Sequence, residues 1–406
     1  MENIVGTPAR GGDFFDREEL VKVVWDRLEA GNNILLAAPR RFGKTSLMYN
    51  LIDQPRPGWK PIHVDAESIR EPVNFVIALL DRLMADNRIR NFLMASWKGA
   101  GQWLRGLIDS AEFAGPWDVS LKIKLKEKLA DHWQERGEEL LRTLQTYANE
   151  EKLLIIIDEL PVMFYLFRDN GVSDADARAF LYWFRKLRTD PMVGITNCRF
   201  LVGGSIGIEG YLSQLLATDS FNDFERISMS ELGRDRAAEF VQSLLDSRAI
   251  ELSPASRRKI LDLLGAPIPY FAQVFVAEVA MAKAGGLQQI GPKQVEEIYH
   301  RQVLDASKKN YFQHYYDRLA HYPKLEEKAA KAILKELALA HPHAGPRQQL
   351  YAIYRSVAGE SASEEVFGRL IANLENDFYI RYRPEEQGFS FASKILCDWW
   401  RRYYAF

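Results

Sequence analysis

Residues 34–51 restrict the possible folds more tightly than any other part of the chain. An apolar run, Ile34-Leu35-Leu36-Ala37, leads into Ala38-Pro39-Arg40-Arg41-Phe42-Gly43-Lys44-Thr45-Ser46, and a helical run from Leu47 to Leu51 leaves it. Strand, tight loop and helix, with Gly-Lys-Thr at the junction, is the geometry a phosphate chain needs. Backbone N–H groups of such a loop turn inward toward anionic oxygens, and the helix N-terminus adds its positive end. Lys44 would reach the β- and γ-phosphates, and the Thr45 hydroxyl would hold Mg²⁺. The usual pattern opens with glycine, and this chain has Ala38. Gly43, Lys44 and Thr45 are intact, so Ala38 reads as a variant of the motif.

A loop of this kind calls for a second, acidic strand. Leu153-Leu154-Ile155-Ile156-Ile157-Asp158-Glu159 supplies it. Aliphatic residues without alternation predict a strand buried on both faces, as in a parallel sheet. Open α/β sheets place their chemistry at the C-terminal strand ends, where this run carries its two carboxylates. Asp158 would hold Mg²⁺ directly or through water. Glu159 would polarise the attacking water, so Glu159 and Lys44 form the candidate catalytic pair.

At 406 residues the chain calls for two or three domains. A net charge of −2 argues against a broad basic surface, and no apolar run reaches the length of a membrane span. The N-terminus does not read as a signal peptide, and the two cysteines, Cys198 and Cys397, are too few for a disulfide framework. The expectation is a cytoplasmic protein with no membrane contact.

Along the chain, Asp16 and Glu19 fit a capping box ahead of a helix carrying Leu20, Val23, Val24 and Leu28. Residues 61–65 read as a second strand, and Pro72 to Met84 as a helix opened by proline. Residues 86–116 are ambiguous. Val119 to Lys126 alternates apolar and polar residues, which predicts a half-exposed strand with a lysine row. Residues 129–149 and 177–188 read as helices. Phe200 to Gly207 reads as another buried strand, with Ser205 at the strand end, where a polar residue would sense the γ-phosphate. Gly203-Gly204-Ser205-Ile206-Gly207 also fits the nucleophile elbow of α/β-hydrolases. The loop and the acidic strand already account for this strand, and the later histidines lie well past the sheet.

Ile227 belongs to the last short strand of the sheet, preceded by Arg226, and residues 234–301 are helical in pattern. The last sixty residues read as two helices, a strand–turn–strand and an aromatic closing helix. From residue 346 onward eight basic and eight acidic residues balance, whereas a winged helix built for strong DNA binding is usually basic. Arg381, Arg383, Arg401 and Arg402 are the local candidates for a phosphate contact.

Phe15-Asp16-Arg17-Glu18, the loop 38–46, Asp158-Glu159, Gly204-Ser205, Gly265-Ala266-Pro267 and the stretch from Phe389 to Trp400 together resemble the archaeal-type P-loop ATPase family of the STAND/AAA+ group. The resemblance covers nearly the whole chain. It implies an α/β fold: a parallel P-loop sheet with a helical lid and a C-terminal winged-helix domain. The expected boundaries are a core over 1–231 with an insertion at about 86–128, a lid over 232–300, a helical connector over 301–345 and the winged helix over 346–406. It implies ATP or ADP with Mg²⁺. Residues Ala38, Pro39, Arg40, Arg41, Phe42, Gly43, Lys44, Thr45 and Ser46 would hold nucleotide, Thr45 and Asp158 the metal, and Pro267 matches the lid proline near the adenine. Relatives of this kind often complete the site with an arginine from a neighbouring subunit, and Arg226, Arg185 and Arg188 are the candidates. The functional expectation is an ATP-dependent switch acting on a protein partner or on further copies of itself. The alternative is a DNA-associated ATPase resembling replication initiators or transposition helpers.

Overall fold

The computed structural model describes residues 1–96, 117–190, 197–204 and 208–405. Ser205 and the two residues after it lie outside them, as do residues 97–116. In chain order the helices are α1 (Glu18–Glu29), α2 (Lys44–Asp53), α3 (Pro72–Ala85), α4 (Asn87–Ser96), α5 (Val119–Leu129), α6 (Trp133–Ala148), α7 (Leu160–Asp169), α8 (Asp174–Thr189) and α9 (Ile208–Gln214). They continue as α10 (Arg234–Asp246), α11 (Pro254–Leu264), α12 (Pro269–Ala284), α13 (Pro292–Ile298), α14 (Asn310–Arg318), α15 (Lys324–Ala340), α16 (Arg347–Ala358), α17 (Glu364–Asn376) and α18 (Lys394–Tyr404). The strands are β1 (Asn33–Ala37), β2 (Trp59–Asp65), β3 (Lys152–Asp158), β4 (Cys198–Gly204), β5 (Phe224–Ser228), β6 (Gly345–Pro346), β7 (Ile380–Arg383) and β8 (Gly388–Phe391).

The chain forms two compact units. One holds Arg17–Ala38 and Leu47–Ser228, the other Met1–Asp16, Pro39–Ser46 and Met229–Phe406. The first is built on a five-stranded sheet of order β2-β3-β4-β1-β5 in which every described pairing is parallel. Its aliphatic strand β3 is buried from Leu153 onward, because β2 and β4 flank it and helices cover both faces. An aromatic core of Phe75, Phe164, Phe167, Phe180 and Phe184 packs edge to face beside the sheet.

Residues 119–126, expected as a strand, are helical. Leu121, Leu125 and Leu129 recur every four residues and are buried, while Ile123 is 53% exposed. The Asp118 side chain caps the helix by accepting from the Leu121 N–H at 2.8 Å. Two of its lysines form ion pairs, Lys122 with Asp81 and Lys126 with Glu71. The four-residue leucine spacing and the cap outweigh the local alternation.

The second unit is helical, apart from a three-stranded antiparallel sheet of order β6-β8-β7. Helices α15, α16 and α17, with that sheet, make the winged helix; its first helix lies in the stretch expected as a connector. Asp16 does not cap α1. Its φ is +53°, Arg17 stands at the cap without a side-chain bond, and the Asp16 carboxylate accepts from Arg236 at 2.7 Å. The Gly265 turn faces the start of α18. Gly265 has φ +74°, and a Cβ there would stand 2.6 Å from the Lys394 backbone nitrogen. Ser393 Oγ donates to the Leu264 carbonyl at 3.1 Å beside it.

Candidate functional site

Strand β1 ends at Ala37, paired with Gly204 and Ser228, and delivers the chain to the C-terminal edge of the parallel sheet. Ala38 continues that pairing, its N–H donating to the Gly204 carbonyl at 3.3 Å. A methyl group at position 38 is therefore accommodated as an extension of the strand. The chain then turns through Arg41 (φ +73°) and Gly43 (φ +92°) before α2 begins at Lys44. Gly43 is the position where the turn itself demands glycine. Lys44 is 5% exposed and opens the helix, so its ammonium and the first N–H groups of α2 belong to one positive terminus.

The acids end β3 at the same C-terminal edge of the sheet. Asp65 lies opposite Asp158 on β2. Asp158 and Glu159 are 6% and 8% exposed, and an Asp158 Oδ1 accepts the Glu159 N–H at 2.9 Å. Glu159 sits in the left-handed region (φ +54°, ψ +39°) as the cap of α7. A non-glycine residue held there carries strain of about 1–3 kcal/mol, which is characteristic of functional turns. His63 on β2 was not anticipated from the sequence. Burial lowers its pKa, although Asp158 and Asp65 pull the other way.

The arginines expected to reach a neighbouring subunit occupy different environments. Arg226 is exposed on the edge strand β5. Arg185 pairs with Asp219. The Arg188 side chain is 0% exposed, bonds both Asp223 oxygens at 2.7 and 2.8 Å, and donates to the Phe184 and Ser220 carbonyls. The Phe184 and Phe224 rings lie 4.3 and 4.4 Å from its guanidinium. Its hydrogen-bonding edge is committed inside its own unit. In the second unit, the Pro267 carbonyl accepts the Leu232 N–H at 3.2 Å, fixing the turn that precedes α12.

The phosphate loop has neighbours within the second unit that sequence reasoning missed. The Arg41 guanidinium stands 4.2 Å over the Tyr270 ring at the start of α12. Phe42 is 1% exposed and meets Phe378 edge to face at 4.8 Å. Tyr315 Oη reaches the Arg40 carbonyl at 3.5 Å. Both ring nitrogens of His314 are buried without a hydrogen-bond partner, and burial, helped by Arg41, Arg40 and Arg318, pushes its pKa down to about 2.

A five-stranded parallel sheet, a glycine-turned loop running into a helix that begins with lysine, and paired acids at the end of β3, one strand removed from β1, define a P-loop α/β fold. No family model matches the sequence, and no curated protein matches it. Among solved structures the chain is similar to a Walker-type ATPase of Pyrococcus abyssi, with a TM-score of 0.65 and 15% identity over 98% of this chain and 99% of that one. It is also similar to the ORC2 protein of Aeropyrum pernix in its ADPNP–ADP complexes, with a TM-score of 0.54 and 12% identity over 94% and 92%. At such identities the likeness establishes the fold alone, a P-loop α/β sheet followed by a helical C-terminal region that carries a small three-stranded sheet.

Proposed function

We propose that the protein binds ATP with Mg²⁺, hydrolyses it, and uses the nucleotide state to rearrange its winged-helix unit toward a partner. The observation that carries this reading is the loop itself: Gly43 at φ +92°, then buried Lys44 opening α2. Lys44 would hold the β- and γ-phosphates, with residues 38–46 supplying backbone donors and Ser46 closing the motif. Hard oxygen donors at Thr45 and Asp158 suit Mg²⁺, which when bound would neutralise charge on the phosphates. Glu159, beside Asp158 and fixed by its strained backbone, would orient and deprotonate the attacking water. Pro267 would stand near the adenine, and Ser205 would sense the γ-phosphate.

The test is ATP hydrolysis over a range of protein concentrations. Wild type should turn over, Glu159→Gln should bind nucleotide without turnover, and Lys44→Ala should bind neither ATP nor ADP at concentrations that saturate wild type. Turnover that rises more than linearly with protein, and falls in Arg226→Ala, would assign a site completed between subunits. Retention of full turnover in Glu159→Gln would refute the catalytic assignment.

A second reading, action on DNA, rests on exposed Arg381 and Tyr382 on β7 of the winged helix. The other arginines expected to touch phosphate are engaged within the unit. Arg383 binds Glu385, Glu386 and the Pro342 carbonyl, Arg401 the Ala338 and His341 carbonyls, and Arg402 the His300 carbonyl. Salt-dependent duplex binding that is lost in Arg381→Ala would establish this reading, and no binding at low salt would remove it.

A further inference from the structure

The contacts on the phosphate loop point to a device beyond nucleotide binding. We propose that Tyr270 and Phe378 form a latch on the loop that bound nucleotide must release, with Arg41 exchanging the Tyr270 ring for phosphate. The inference rests on the nucleotide-site reading above and adds how that site is regulated.

Phe378 is built to present its ring. It lies between α17 and β7 with φ +62°, a conformation that costs a non-glycine residue free energy and persists only where its neighbours enforce it. Both neighbours do so. Asp377 is 1% exposed, accepts from Tyr322 Oη at 2.7 Å and faces Arg318 at 3.7 Å. Tyr379 is fully buried, and its hydroxyl donates to the Tyr315 carbonyl at 2.5 Å. The corner of the winged helix is thus pinned on either side of the ring that meets Phe42.

Arg41 has one good neighbour and lacks another. The Tyr270 face satisfies its charge in part, but its Nε is buried without a hydrogen-bond partner. A buried cationic donor left unpaired is costly, and a phosphate oxygen is a far stronger partner than a ring face. Arg41 belongs to the loop that phosphate would enter, so an arriving anion competes directly with Tyr270. Arg41 and Phe42 are consecutive, so moving one disturbs the Phe42–Phe378 contact. By reciprocity, loosening the latch must tighten nucleotide binding by the same factor that nucleotide loosens the latch.

The test measures Mg–ADP and Mg–ATP dissociation constants for wild type, Phe378→Ala, Tyr270→Leu and Lys44→Ala, each checked for a cooperative melt. Phe378→Ala and Tyr270→Leu should each bind about three- to tenfold tighter, the range an aromatic or cation–π contact supplies. Amide exchange across residues 377–383 should quicken when Mg–ATP is added to wild type. If Phe378→Ala does not fold, Tyr270→Leu and the exchange measurement decide. Wild-type binding that Lys44→Ala abolishes, but that the latch variants leave unchanged or weaken, overturns the latch and spares the nucleotide site. No binding by any of the four proteins overturns both.

Discussion

Arg188 and Arg41 each rest on aromatic rings, and their difference separates a fastening from a moving part. Arg188, in the sheet unit, lies against Phe184 and Phe224 and has a carboxylate and two carbonyls for its donors. Arg41, in the helical unit, has a ring and an Nε with no partner. A satisfied buried cation has nothing to gain by moving, whereas one short of an acceptor is biased toward whatever anion arrives. Aromatic stacking alone does not distinguish the two roles; the count of satisfied donors does.

The largest test breaks the fastening. Arg188→Ala should cost about 3–5 kcal/mol in denaturant unfolding, because it strands the Asp223 charge. Replacing both partners, as Arg188→Met with Asp223→Leu, should recover most of that loss. Nucleotide affinity of either folded variant should match wild type; a large change would mean that the contrast with Arg41 is misdrawn.

Next in size is a pH effect at the moving part. His314 has a folded pKa of about 2, set first by burial and then by Arg41, Arg40 and Arg318, against an ordinary value near 6.5. Between those values the unfolded chain binds a proton that the folded chain does not. This group's contribution is therefore complete above pH 6.5 and is lost as the pH falls below it, by up to about 1.4 kcal/mol per pH unit. His314→Phe should flatten the stability profile between pH 6.5 and 4.5. An unchanged slope would show that His314 does not carry this pH dependence.

The smallest test isolates backbone strain. Arg41 has φ +73°, so Arg41→Gly should be about 1 kcal/mol more stable than Arg41→Ala by thermal melting. Equal stabilities would mean that the loop relaxes once the guanidinium is gone.

Most of the sheet unit was legible because its signals are local. The unbroken aliphatic run of β3 announced a strand covered on both faces, and the residues around Gly43 announced the turn before α2. Residues 119–126 were misread because a period of two over a few residues is indistinguishable from a helix whose buried positions are every fourth. The cap at Asp118 and the recurrence through Leu129 carry the true signal. The neighbours of the loop were not legible at all. Tyr270, Tyr315 and Phe378 are separated from it by hundreds of residues, and no period or motif links Phe42 to Phe378. Nor does sequence show that Arg188 is fully enclosed while Arg226 is exposed.

The Tyr315–Arg40 contact joins positions 275 residues apart. During synthesis the phosphate loop leaves the ribosome long before the residues that latch it. At about 5–20 residues per second the interval is on the order of tens of seconds. For that period the loop exists without Tyr270, Tyr315 or Phe378, open to whatever anion the surroundings supply. On the proposed latch, the nascent chain would meet nucleotide before it acquires the means to oppose its binding.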